Sequence, residues 1–147
     1  MSSRSSRYNK YQQRVGVTGF SDMVEGTIDL YCKEIEKSVP NIVEQAAKKC
    51  LQSIRVHIAL AGIKDKDYSK SWKAKCEIKS PFYTGYRVYS EKRYRIAHLL
   101  EHGHAKVSPS GKPLGTRADA FPHLQYAEQD SVQFMENMFM KTIEGGS

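Results

Sequence analysis

An apolar stripe of helical period, about 40 residues long and crossed by one proline, most constrains what this chain can fold into. Ser21 offers an N-cap, with Asp22 and Glu25 in a first turn where acidic groups favour the helix dipole. Val24, Ile28, Tyr31 and Ile35 follow at steps of four, three and four, which is one helix face. Pro40, close behind Ser38, implies a kink or a restart, proline being tolerated in a first turn. The stripe resumes at Val43, Ala46, Ala47, Cys50, Ile54 and Ile58 and stops at Gly62. Such a segment would be about 60 Å long if straight. That exceeds a small domain, so it folds back at Pro40 or projects toward a neighbouring subunit.

Beyond Ser69 the period changes. Residues 72–79, Trp-Lys-Ala-Lys-Cys-Glu-Ile-Lys, alternate apolar and charged as a half-buried strand does. Ser80-Pro81 ends it, Tyr83-Thr84-Gly85 is turn-like, and Tyr86–Tyr89 is a second strand. A short helix is expected from about Glu91 to His102, stopped by Gly103 in the left-handed conformation. His104–Val107 reads as extended, and 108–117 as a mobile basic loop rich in Ser, Pro and Gly. Pro122 opens a last helix to about Ile143, its stripe broken by polar Gln129-Asp130. The expected class is α+β: a long N-terminal helical segment, a small antiparallel sheet, a short helix, and a C-terminal helix packed on the sheet. At 147 residues the length suits one domain, 19–147, preceded by a flexible basic arm, 1–18.

Charge is uneven within the net +7. The first fourteen residues carry Arg4, Arg7, Lys10 and Arg14 and no acid, and residues 64–106 hold eleven bases against five acids. Both helical ends of the chain are near neutral or acidic. Such a surface tracks phosphates, meets an acidic protein face, or is simply solvated. Tyr8 and Tyr11 in the arm could stack on bases, although a plain tail explains them as well. The first residues lack the apolar run of a signal peptide, and no run approaches a membrane span. Cys32, Cys50 and Cys76 fit no metal or redox spacing and read as reduced, mostly buried thiols of a protein made in the cytoplasm.

The block Tyr94–His104, YRIAHLLEHGH, spells H-x-x-E-H at His98, Glu101 and His102. On a helix this spacing lets two imidazoles hold one zinc while a carboxylate activates its water. A third ligand from another element is then required, for which Glu128 and Glu136 are the candidates. Gly103 ends the helix directly after the second histidine, which leaves such a centre little support. In the alternative, Ile96, Ala97, Leu99 and Leu100 pack inward while Tyr94, His98 and Glu101 share a polar face.

The wider context favours that alternative. His98, Leu99, Leu100, Glu101, Gly103, His104 and Ala105 are followed by a basic Gly-containing loop. Then come Pro122 and His123, with Ala127-Glu128 early in the last helix. Together with Tyr68-x-x-Ser71-Trp72 ahead of the first strand, this pattern resembles the tail-component family of siphophages. These are small head–tail joining or tail-completion neck proteins. The resemblance covers about residues 20–145 and is most specific in the second half. Two features depart from it: Ser-Pro-Ser-Gly stands where Asn-Gly-Gly is common, and the basic arm lies outside the pattern.

The resemblance implies a non-enzymatic virion protein at the head–tail junction, acting in tail completion, tail termination or connection. It implies a ring of six copies, or alternatively twelve, in contact with neighbouring neck and tail proteins. DNA would pass through, with transient sequence-independent contact. No catalytic residue, metal or cofactor is expected, and no membrane partner. The motif residues Tyr94, His98, Leu99, Leu100, Glu101, Gly103, His104, Pro122 and His123 are then contact and interface positions. Lys106, Lys112 and Arg117 would face DNA or a partner from the loop. The competing readings are a basic nucleic-acid-binding module and a zinc metallohydrolase.

Overall fold

The computed structural model describes residues 19–80 and 83–145. The arm assigned to 1–18 lies outside them. The fold is α+β. In chain order the elements are α1 (Phe20–Leu60), α2 (Lys66–Lys70), β1 (Trp72–Lys79), β2 (Thr84–Ser90), α3 (Tyr94–His102), β3 (Ala105–Val107), β4 (Pro113–Arg117) and α4 (Leu124–Ile143). The chain divides into two units, Met1–Ser38 and Val39–Ser147, with the division inside α1.

In the first unit the described residues are helical, with Pro40 lying inside α1 just past its end. The Thr27 and Ser38 hydroxyls donate back to the carbonyls of Met23 and Ile35, at 2.8 and 2.7 Å. The expected core stripe is largely exposed here: Val24 and Ile28 stand 37% and 55% open, and Ile35 alone of the four is half-buried.

In the second unit the stripe is inward. Ile42, Ala46, Ala47, Ile54 and Ile58 are buried. Ile54 and Ile58 meet Tyr68 of α2, Trp72 of β1, Ala97 of α3 and Ala127 of α4 in one core. Each large apolar side chain buried there contributes roughly 1.5–3 kcal/mol. Gly62, at φ 75°, closes α1, with the Ile63 N–H bonded to the Ile58 carbonyl. Asp65 then caps α2: its Oδ1 accepts from the N–H groups of Asp67 and Tyr68 at 3.0 and 3.1 Å.

Strands β1 and β2 pair antiparallel, from Trp72 opposite Ser90 to Lys79 opposite Thr84, with a register shift between Cys76 and Ile78. Thr84 and Gly85, expected in a turn, belong to β2. At the head of the ribbon Ser71 and Ser90 are buried. Their hydroxyls lie 2.7 Å apart, and the Ser71 hydroxyl donates to the Tyr68 carbonyl.

Four expectations need correction. There are two two-stranded sheets rather than one. The segment expected as a loop over 108–117 is turn only at 108–112, where the Ser108 N–H donates to the Lys112 carbonyl; 113–117 is β4, paired with β3. The polar break at Asp130 is a tie from α4 to α1. Its carboxylate accepts the Ser53 hydroxyl and lies 3.0 Å from His57 Nε2. Ser53 and His57 together hold the Asp130 carboxyl below its usual range. Finally, the cysteines are free but not buried, Cys32 being exposed and the others half-buried.

Candidate functional site

The signature block forms α3 and the start of the return path to α4. Gly103 follows α3 at φ 69°, ψ 169°, a positive-φ conformation that differs in ψ from the expected left-handed helical stop. A side chain there would also collide: a Cβ would stand 2.5 Å from the Ala118 carbonyl oxygen. Glycine is required on both counts. The close approach arises because the chain leaves α3, makes the β3–β4 hairpin, and returns beside its own exit. The Ala118 N–H bonds to the His104 carbonyl at 2.7 Å, and the Phe121 N–H to the Leu100 carbonyl at 2.6 Å.

This return sets the N-terminus of α4 on Glu101. Helix N-termini leave N–H groups without intrahelical partners. Here a carboxylate from α3 supplies the acceptors that a local cap residue usually provides. Glu101 Oε2 accepts the N–H groups of His123 and Leu124 at 2.8 and 2.9 Å, and Oε1 accepts that of Gln125 at 2.9 Å. Burial works to raise the Glu101 carboxyl, but these three bonds outweigh it and, with His123 adding to them, hold it below the usual carboxylate range. The helix dipole favours the same charge.

His123 occupies the N-cap position, yet its side chain caps nothing. It is fully buried and spent elsewhere. Nδ1 lies 2.6 Å from the Phe121 carbonyl and 3.2 Å from Glu101 Oε2, so both neighbours want a proton there. Nε2 on the other side of the ring lies 2.7 Å from Tyr68 Oη, which donates to it when the ring proton sits on Nδ1. Tyr68 is likewise fully buried, and burial pushes its phenol up to about 12, so it stays a donor. Trp72 packs edge-on against the Tyr68 ring, and its buried Nε1 has no hydrogen-bond partner among the described residues.

The motif residues therefore separate into two groups. Glu101, Gly103 and His123 build a buried junction, joined by Tyr68. Leu99, Leu100 and Pro122 are half-buried around it, and Leu100 packs on the core. Tyr94, His98, His102 and His104 are exposed, Tyr94 with the Arg95 guanidinium 5.8 Å from its ring centre. The expected polar face of Tyr94, His98 and Glu101 is thus wrong for Glu101. It lies four residues after buried Ala97 and shares that inward side. Glu128 and Glu136 are exposed on α4. Among the described residues no three His, Cys, Asp or Glu side chains come together to hold a metal.

Lys106, Lys112 and Arg117 lie on the β3–β4 hairpin and its turn, all exposed. Sequence reasoning missed Tyr68 as the partner of His123, and Asp130 as the tie to α1. The Glu101–His123 spacing has no local signature, since the link forms across a hairpin. No helix among the described residues is long and apolar enough to cross a membrane. No family model, no curated protein and no solved structure matches this chain.

Proposed function

We propose that this chain is a non-enzymatic structural protein of a phage head–tail junction, a tail-completion, terminator or connector subunit that assembles as a ring through which DNA passes. One observation supports the non-enzymatic side of this reading: the signature glutamate is a structural cap. A metallohydrolase needs a Glu101 carboxylate free to take a proton from a water, whereas here three backbone N–H groups bond to it and turn it toward the start of α4. The letters shared with the siphophage tail-component pattern include the buried ones. Tyr68, Ser71, Trp72, Glu101, His123 and Ala127 are all at or below 8% exposure. In this reading they keep one fold, and the exposed residues meet neighbours in a ring of six copies, or of twelve.

The test is joining of purified heads and tails, with the chain imaged in the particle. Tailed, infectious particles formed equally well without the chain would refute the proposal. Reversing Lys112 and Arg117 together is expected to reduce joining without unfolding the subunit. A basic nucleic-acid-binding module is the second reading, favoured by a hairpin that carries three cations and no acid. Salt-sensitive duplex binding by the isolated monomer, at micromolar affinity or tighter, would favour it.

A further inference from the structure

We propose that the β3–β4 hairpin of one copy docks on the exposed face of α4 of the next, and that this contact joins subunits head to tail. It rests on the ring reading above and gives that ring its interface. An isolated two-stranded hairpin is marginal in water without a face to pack on. Here every residue of both strands is exposed, with Val107 and Leu114 at 58% and 56%. Lys106, Lys112 and Arg117 surround them, and no acidic residue occurs between Glu101 and Asp119.

On α4, Glu128, Val132, Glu136 and Met140 recur every four residues, hence on one face. All four are exposed, Val132 at 41% and Met140 at 53%. Acid and apolar groups alternate along this stripe, as base and apolar groups do on the hairpin. None of the three cations, nor Glu128 or Glu136, forms an ion pair among the described residues. The strand also fits within the length of the stripe. The twelve steps from 128 to 140 rise about 18 Å, and the four steps from Pro113 to Arg117 cover about 13 Å of that stripe.

Other occupants fit less well. On the β1–β2 ribbon of another copy the exposed acids Glu77 and Glu91 are already paired with Arg87 and Lys73, which leaves Lys75 and Lys79 facing the hairpin cations. A phosphate backbone would satisfy the cations but leave Val107 and Leu114 in water. Because hairpin and helix stripe are different patches, the contact is heterologous, the kind that closes cyclic rings. A single contact of this size is weak, and ring closure adds to it.

The experiment is sedimentation velocity on the full chain as wild type, Lys112→Glu/Arg117→Glu, Glu128→Lys/Glu136→Lys, and an equimolar mixture of the two variants. All four side chains are exposed, so circular-dichroism melts should coincide. The wild type is expected to self-associate, and each variant at least tenfold more weakly. The mixture should recover, since each reversed hairpin then meets a reversed helix. A photo-crosslinker, p-benzoylphenylalanine in place of Leu114, should capture the 128–140 segment of another copy.

A wild type that is monomeric and uncrosslinked at about 100 µM would overturn the proposal, as would variants that associate normally. If Lys112→Glu/Arg117→Glu keeps self-association but loses duplex binding, the hairpin is a nucleic-acid surface instead. A chain that associates through this contact yet never joins heads to tails leaves the interface standing and removes the neck function. Normal joining with unaffected association in both variants removes the interface alone.

Discussion

Glu101 holds His123 twice. Its Oε2 accepts the His123 backbone N–H at 2.8 Å and stands 3.2 Å from the imidazole Nδ1. One carboxylate thereby fixes where α4 begins and which way the side chain of its N-cap residue points.

Replacing that carboxylate should cost stability in a pH-dependent way. Glu101→Ala leaves three N–H groups without acceptors in a buried junction, and a loss of about 2–4 kcal/mol is expected by urea unfolding at pH 7. Glu101→Gln keeps an acceptor but no charge and should lose less. Because the folded carboxyl is held below its unfolded value, its contribution is complete above about pH 4.3 and fades as pH falls through the lower, folded value. Wild type and Glu101→Gln should therefore converge on acidification. A gap that stays constant down to pH 2 would show that the charge contributes nothing.

Tyr68→Phe removes the donor to a fully buried imidazole nitrogen while keeping the ring. About 1–2 kcal/mol should be lost. The His123 ring signals in NMR should also move, because Nε2 then lacks its partner. An unchanged melt and unchanged imidazole shifts would contradict the hydrogen bond.

Gly103→Ala combines an unfavourable positive φ with a Cβ 2.5 Å from the Ala118 carbonyl oxygen. At least about 2 kcal/mol of destabilisation is expected. Gly111, also at positive φ but with nothing within 4 Å, should tolerate alanine better. Equal losses at the two sites would mean that the 118–120 return path does not press on Gly103.

His98→Ala/His102→Ala tests the zinc reading directly. Both rings are exposed, so the double variant should unfold within about 0.5 kcal/mol of wild type. Metal analysis of both purified proteins should find no stoichiometric zinc. One zinc per wild-type chain that disappears in the variant would reverse the reading of this motif.

Much of the fold was legible in local chemistry. The period-four stripe gave α1, the alternation from Trp72 to Lys79 gave β1, and Pro122 marked the approach to α4, because these signals act between residues a few positions apart. From the letters alone, however, Glu101 reads either as part of H-x-x-E-H chemistry or as a member of a polar helix face. Its actual role depends on a contact with residues 22 to 24 positions later, made only after the chain has turned through a hairpin. The same holds for Asp130, which reads as a flaw in an apolar stripe until Ser53 and His57 face it from α1. Residues 113–117 also looked like loop, since Ser, Pro and Gly punctuate the stretch, and only pairing with Ala105–Val107 makes them a strand, while 108–112 is the turn the letters suggest. Sequence determined which stretches could be helix or ribbon, because backbone and burial preferences are local. Tertiary structure decided what the polar residues do, because a buried charge takes its meaning from whichever groups the fold brings within hydrogen-bonding distance.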